Sequence, residues 1–396
     1  MTELHTEPAL LTVATCNHRA GAAVVAESFL RHYPGAKTYT CLVDRPPSDM
    51  PPLDLKAEIF YADELDLPGG RRFLFQYDAF ELCCALKPFA LRHVLEKLGA
   101  ARIVYLDSDI LVTAPFWQDL DHAWENHAVL LTPHLIRLSS DLAPEAQRAI
   151  LQHGSYNGGF IALRAGTEAR TFLDWWARAV ERFCTVDTMN NVYVDQRWLD
   201  LAAASSMVEV LRDPGLNVAY WNLGERKLDE AGTDRWSVAG APLKFFHFSG
   251  FDRERLTNKA PCADPAALRL ADLYGQQLEA AGEKLFGNFP YGWGKYVGGQ
   301  SIPNSHRELI LTDAPELRSV TDPFLLPQMA REWSVVAELA SVTAPARVNE
   351  RFNDGVAALG TVRSLYRHPV IGLVWKLWRR FVNPSLGSGL PPHALG

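Results

Sequence analysis

The densest chemistry in this sequence is Asp107-Ser108-Asp109, two carboxylates one residue apart directly after the apolar run Ile103-Val104-Tyr105-Leu106. Such a run reads as a buried strand, and in a parallel sheet ligands collect outside the carboxyl ends of the strands. Two acids at that position create a negative field. A hard divalent cation relieves it, and a diphosphate completes the coordination. A D-x-D after a strand is also a common solvated turn. Here Ile110-Leu111-Val112 resumes the apolar pattern at once, which favours the ligand reading.

Other candidates follow the same logic. His247 sits in the aromatic run Phe245-Phe246-His247-Phe248-Ser249-Gly250. It reads either as a satisfied core histidine or as the imidazole that joins carboxylates around a Mn2+-like ion. Gly250 permits close backbone approach, and Arg253 and Lys259 follow within reach of a phosphate. Asn157-Gly158-Gly159 marks a place where backbone passes close to a ligand, or a plain turn before a strand. Asp195-Gln196 is a polar pair that acts on a substrate, or a helix cap ahead of Arg197-Trp198-Leu199. Lys87 reads as a surface lysine or, placed before Pro88 at a helix start, as an anion contact.

The elements that must position these groups are legible in the same pattern. Leu10 to Thr15 is a β-type run, Ala20 to His32 a helix ending at Pro34-Gly35, and Thr38 to Val43 a second strand closed by Asp44-Arg45-Pro46-Pro47. This is a βαβ unit, so a parallel sheet is expected. Asp78 and Glu81 have capping-box spacing. Pro88 opens a further helix that ends before Gly99, with Leu91, Val94, Leu95 and Leu98 on one apolar face. Phe160 to Leu163 is a strand entered through Tyr156 to Gly159, Phe172 to Phe183 an aromatic-rich helix, Leu243 to Phe248 a last core strand, and Asp264-Pro265 the start of a helix through Leu278. The expected organisation is a nucleotide-binding α/β domain over residues 1–265 and an irregular helical extension over 266–396, without internal repeats.

Bulk properties narrow the function. The 396 residues are 48% hydrophobic and 21% charged, ordinary for a globular protein. A net charge of −7 disfavours nucleic-acid binding. The six cysteines, at 16, 41, 83, 84, 184 and 262, include no C-x-x-C and read as reduced thiols of a cytoplasmic protein. No basic segment precedes an apolar stretch near the start, which argues against a secretory signal. No apolar run reaches 18 residues, so no spanning helix is expected.

Taken in order, Tyr105-Leu106-Asp107-Ser108-Asp109, Asn157-Gly158-Gly159-Phe160, Asp195-Gln196 and His247-Phe248-Ser249-Gly250 resemble family 8 glycosyltransferases, the family of glycogenin and bacterial lipopolysaccharide galactosyltransferases. The resemblance spans about residues 10–260. It implies a GT-A fold, a Rossmann-like and mostly parallel sheet flanked by helices. It also implies a UDP-hexose donor, Mn2+ (or Mg2+), and retention at the anomeric carbon. Asp107, Asp109 and His247 would ligate the metal, and Arg253 would contact phosphate where the family usually has lysine. Asp195 and Gln196 would lie by the reactive face of the sugar. Ala14, Thr15 and Asn17 would flank the uridine, although Thr15-Cys16-Asn17 lacks the family's frequent acidic residue. Ser108, Lys87, Gly158 and Gly159 would line the donor. The acceptor would be a glycan, a lipid-linked sugar or a protein.

Two other classes fit parts of the pattern. A nucleotidyltransferase making the sugar nucleotide needs a basic, glycine-rich N-terminal loop, of which Asn17-His18-Arg19-Ala20-Gly21 is a poor version. A non-catalytic sugar-nucleotide or glycan-binding module would not require acids at 107, 109 and 195. Residues 355–396 contain no Asp or Glu. Within them the basic segment 363–382, drawn as a helix, sets Ile371, Val374, Trp375, Trp378, Phe381 and Val382 against Lys376, Arg379 and Arg380. It reads as a helix packed on the catalytic domain or as an interfacial helix at the inner face of the membrane.

Overall fold

The computed structural model describes residues 7–138, 143–232, 234–250 and 265–343. The chain divides into two compact units, Met1–Arg347 and Val348–Gly396. The described residues all belong to the first. The basic segment 363–382 therefore lies outside the described residues, as do Arg253, Lys259 and Cys262.

The first unit is α/β. Its main sheet uses seven strands: β1 (Ala9–Ala14), β2 (Lys37–Leu42), β3 (Glu58–Tyr61), β4 (Arg102–Leu106), β6 (Val129–Pro133), β7 (Tyr156–Arg164) and β10 (Val208–Val210). Their order is β10-β6-β7-β4-β1-β2-β3. The pairs β1–β2, β2–β3, β1–β4 and β6–β10 are parallel, and only β7 runs against its neighbours. All six residues of β1 are buried, as expected for a strand covered by helices on both faces. After β1 the chain lays down β2 and β3 on one side and returns to place β4 on the other. The carboxyl ends of β1 and β4 thus flank the switch point where an open α/β sheet gathers ligands.

One face of the sheet packs against α3 (Ala79–Glu96) and α6 (Thr167–Val180), with Leu82, Leu86, Leu91, Val94, Phe172 and Trp176 in a common core. The other face packs against α1 (Arg19–His32) and α4 (Trp117–Trp124) through Val25, Phe29, Trp117 and Leu120. The aromatic-rich helix begins at Thr167, earlier than its apolar residues suggest, because its first turn is polar.

The capping box forms as its spacing predicts. Asp78 Oδ1 accepts the Glu81 N–H at 2.9 Å, and the Asp78 N–H donates to Glu81 Oε2 at 3.3 Å. The helix it starts corrects the expectation of a new helix at Pro88. Residues 79–96 form one continuous helix with Pro88 inside it. Proline removes one backbone donor there, but Leu82, Ala85, Leu86, Phe89, Ala90 and Leu91 are all buried, and that burial holds the helix through the break. Lys87 consequently sits in mid-helix, 3% exposed, and not at a helix start.

Short strands complete the frame. These are β5 (Ile110–Val112), β8 (Val186–Asp187), β9 (Val192–Tyr193), β11 (Leu228–Gly232), β12 (Arg235–Val238), β13 (Ala241–Pro242) and β14 (Phe245–His247). The expected last core strand is the short β14, and it pairs antiparallel with β5 instead of joining the main sheet. The helix Pro265–Ala280 packs Leu270, Ala271, Tyr274 and Leu278 against Phe246 and Phe248, with the Phe248 and Tyr274 rings stacked at 4.1 Å. Cys16, Cys41, Cys83, Cys84 and Cys184 are unpaired. No helix among the described residues is long and apolar enough to cross a membrane.

Residues 291–328 are fastened to the core by Arg307, 5% exposed. Its guanidinium donates to Phe75 O at 2.6 Å, Tyr77 O at 2.8 Å and Trp293 O at 2.7 Å. Replacing it removes a donor from two buried acceptors and one half-buried one. Arg307→Met is expected to lower the unfolding free energy by about 3 kcal/mol in urea titrations. Arg318→Ala, which loses only an exposed pair with Asp313, should change it by about 0.5 kcal/mol or less.

Candidate metal centre and active site

The turn after β4 is fixed by backbone on two sides. Asp107 N–H donates to Gly159 O at 3.0 Å, and Phe248 N–H to Asp109 O at 2.8 Å. The β5–β14 ladder sets His247 opposite Ile110, so the histidine arrives beside both acids. His247 Nε2 lies 3.0 Å from Asp109 Oδ1 and 3.7 Å from Asp107 Oδ2. One ligand atom from each of Asp107, Asp109 and His247 falls within 4.8 Å of the others.

The hydrogen bonds around His247 define what this cluster can hold. Asn157 Oδ1 accepts the Gly159 N–H at 3.0 Å and Asn217 Nδ2 at 3.0 Å, which fixes the amide orientation. The same oxygen lies 3.1 Å from His247 Nδ1, so Nδ1 carries a proton. A neutral imidazole then turns the Nε2 lone pair toward Asp109 Oδ1, a buried oxygen without a hydrogen-bond partner. Two acceptors facing each other at this distance need positive charge between them: a proton on His247 or a cation. Burial pushes the His247 pKa down, while Asp109 and Asp107 outweigh it and hold it above the ordinary value. Two carboxylates and an imidazole oriented through its other nitrogen are a donor set that fits a divalent metal ion.

A second group adjoins the first. Lys87 Nζ lies 3.2 Å from Asp107 Oδ1 and 3.3 Å from Asp195 Oδ2, and donates to Gly158 O at 2.9 Å. Burial alone would lower the lysine pKa, but Asp107 and Asp195 more than offset it, so the ammonium stays charged. Burial raises the Asp195 carboxyl, with Lys87 pulling it back. Asp195 precedes the turn Gln196–Trp198 but makes no side-chain cap bond, so the helix-cap reading does not hold. Gln196 is tied on both ends. Its Oε1 accepts from Asn157 Nδ2 at 3.1 Å and Gly158 N–H at 3.0 Å, and its Nε2 donates to His153 O at 3.0 Å.

Asn157-Gly158-Gly159 lies inside β7 and not in a turn before it. A Cβ on Gly159 would meet His247 Nδ1 and Asn157 Oδ1 at 2.8 Å each, and one on Gly158 would sit 3.0 Å from Asp195 Oδ2. The first turn of α1, which follows the loop after Ala14, approaches the turn after β4. A Cβ on Gly21 would lie 2.5 Å from Ser108 O. Thr15 Oγ1 donates to Asn17 Oδ1 at 2.6 Å, and Asp44 receives the Cys16 N–H at 2.7 Å. Gly250 follows β14 in a turn with φ +55°.

Several neighbours carry no site role in the sequence reading. Tyr105 OH donates to Asp107 Oδ1 at 2.6 Å. Asn217 bridges Asn157 and Thr132. Trp221 packs edge-on against both His134 and His247. His134 is buried, and burial lowers its pKa to about 3, keeping it neutral. A usable signal existed for His134 alone. It follows the apolar strand β6 as Asp107 follows β4.

No family model matches the chain. Over 181 residues it is 29% identical to YfnF of Bacillus subtilis (strain 168), a protein described as uncharacterised. The match takes in 44% of this chain and 58% of that one, so the chain spans little more than half the length of that relative. Among solved structures it is similar to the galactosyltransferase LgtC in complex with donor and acceptor sugar analogues, at 14% identity and a TM-score of 0.41, covering 72% of this chain and 98% of that one. The glycosyltransferase GlyE of Streptococcus pneumoniae TIGR4 is similar at 13% identity and a TM-score of 0.41, covering 74% and 67%.

The contact beneath His247 is open to a direct test. Gly159→Ala forces the imidazole off its position. It is expected to weaken Mn2+ binding by about tenfold to a hundredfold in calorimetric titration, the scale of losing a group that orients a ligand. The far-ultraviolet circular dichroism spectrum should stay that of the parent protein.

Proposed function

We propose that this chain is a metal-dependent glycosyltransferase of the GT-A type, resembling family 8. In this reading it moves a hexose from a UDP-sugar to a hydroxyl of a glycan, lipid-linked or protein acceptor, with retention at the anomeric carbon. The observation that carries the reading is the meeting of Asp107, Asp109 and His247 at the switch point of the sheet, with Asp195 held alongside by Lys87.

A divalent cation on Asp107, Asp109 and His247 would neutralise charge on the departing diphosphate. The chain's own residues divide the remaining work. Asn157 holds the His247 proton on Nδ1 and leaves Nε2 for ligation. Tyr105 and Lys87 hold Asp107 from its other oxygen. Arg253 and Lys259 are assigned to the phosphates, and Ala14, Thr15 and Asn17 to the base. Asp195 supports positive charge at the anomeric carbon, either as a nearby carboxylate or by forming an adduct on one face, by analogy with retaining glycosidases. Gln196, engaged at both ends, keeps Gly158 and Asn157 in place beside it. An acceptor hydroxyl, its proton passing to an oxygen of the departing diphosphate, completes transfer on the face the diphosphate leaves.

The reading is tested by donor hydrolysis across a panel of sugar nucleotides with Mn2+. Turnover of one UDP-hexose, abolished by EDTA and restored by Mn2+, is expected. Asp109→Asn should reduce it by roughly a hundredfold or more. Full activity in EDTA would remove the metal-dependent mechanism. Pyrophosphate release from a nucleoside triphosphate would replace the reading with a nucleotidyltransferase, and UDP binding without donor hydrolysis with a binding module.

Asp195→Asn separates the sugar from the nucleotide. UDP affinity should be unchanged while turnover falls by about a hundredfold, because the interaction is made with the reacting centre. Equal losses in both would assign Asp195 a structural role.

A further inference from the structure

Positive φ among the described non-glycine residues falls on Asn191, Asn217, Asp234 and Asp313, and on Lys56, Ala239 and Val194. Asn and Asp enter the left-handed region at modest cost because their side chains bond locally. Val194, at φ +40°, is the β-branched exception. A valine in this region is a true outlier, and such a conformation persists only where its surroundings over-determine it.

Those surroundings are present on both sides. The Val194 N–H donates to Thr185 O at 3.0 Å. One residue on, Asp195 O accepts Trp176 Nε1 at 3.2 Å within the core. The Val194 side chain is 2% exposed. The β8–β9 hairpin that delivers it pairs Val186 with Tyr193, and Val186 N–H donates to Glu81 Oε1 at 3.0 Å. Glu81 belongs to α3, the helix that also carries Lys87. The path therefore closes on itself: α3 anchors the hairpin, the hairpin fixes Val194, and Val194 turns Asp195 back to Lys87 on α3. A relaxed, negative φ at this position would rotate the next peptide and carry the carboxylate away from the ammonium.

We propose that Val194 is a positioning residue whose left-handed backbone aims the Asp195 carboxylate at Lys87 and at the sugar face of the metal site. The proposal rests on the reading of Asp195 given above. The geometry makes Val194 the place where folding stability is exchanged for alignment.

The test compares Val194→Ala with Val194→Gly in the full chain. Both lose the valine side chain, but only glycine escapes the strain. Glycine in place of alanine ordinarily lowers stability. Here the thermal midpoint of V194G should equal or exceed that of V194A. Its UDP-hexose hydrolysis should be about tenfold to a hundredfold slower than that of V194A, in line with the cost of a small misplacement of a reacting group. UDP and Mn2+ affinities should match between the two. A lower midpoint for V194G than for V194A overturns the proposal, and so does equal turnover in the two variants. Asp195→Asn serves as the separate control. If it hydrolyses donor at the parent rate, the role of Asp195 falls and the positioning role falls with it. If it is slow while V194G and V194A turn over alike, only the inference about Val194 fails.

Discussion

Three carboxylates, Asp107, Asp109 and Asp195, meet at one corner of the sheet, where Lys87 is the one lysine paired with them among the described residues. Like charges in a partly desolvated space repel strongly, and buried charges persist only when paired. Lys87 answers one negative charge, and the charge that remains on Asp107 and Asp109 is what a divalent ion in the proposed function would offset. The rest of the architecture serves this balance. The core of α3 must carry the helix past Pro88 so that Lys87 reaches the acids. Gly159 must lack a side chain so that His247 fits above β7. Arg307 and its neighbours keep the α3 side of the sheet closed.

The polar groups beneath the acids form a nearly continuous network. Gln196 holds Asn157, Asn157 holds His247 and Asn217, and Asn217 holds Thr132. Asn222 adds a bond from its Nδ2 to Asn217 O at 3.1 Å and another to His134 O at 3.1 Å. In low-dielectric surroundings such chains polarise one another and resist rearrangement. The imidazole orientation is therefore set by β6, β7 and the loops after β9 and β10 together.

Much of this was legible in the sequence. Apolar runs marked β1, β4 and β7, spacing marked the capping box at Asp78, and the abrupt acids after Leu106 marked two members of the candidate metal cluster. What escaped did so for physical reasons. Proline opens helices so often that Pro88 read as a start, and only the buried residues around it show a helix that continues. Lys87 consequently read as an anion contact at a helix start and not as a buried counter-ion. Asn217 sits 60 residues from Asn157, in a loop without periodicity, so no local rule connects them. Val194 looks like any strand valine. Its backbone is dictated by Thr185 and Trp176, which tertiary packing alone brings to it.

The β5–β14 ribbon joins strands more than 130 residues apart in the chain, and it sets His247 opposite Ile110, beside Asp109. A nascent chain that has emerged only as far as β13 owns both aspartates and can lay down every strand of the main sheet, yet it has no third ligand. Long-range pairings of this kind form late, because the loop they close is long. A cation held by these three groups would therefore be captured only after the α/β scaffold is built, since an incomplete polypeptide exposes its acids without the imidazole.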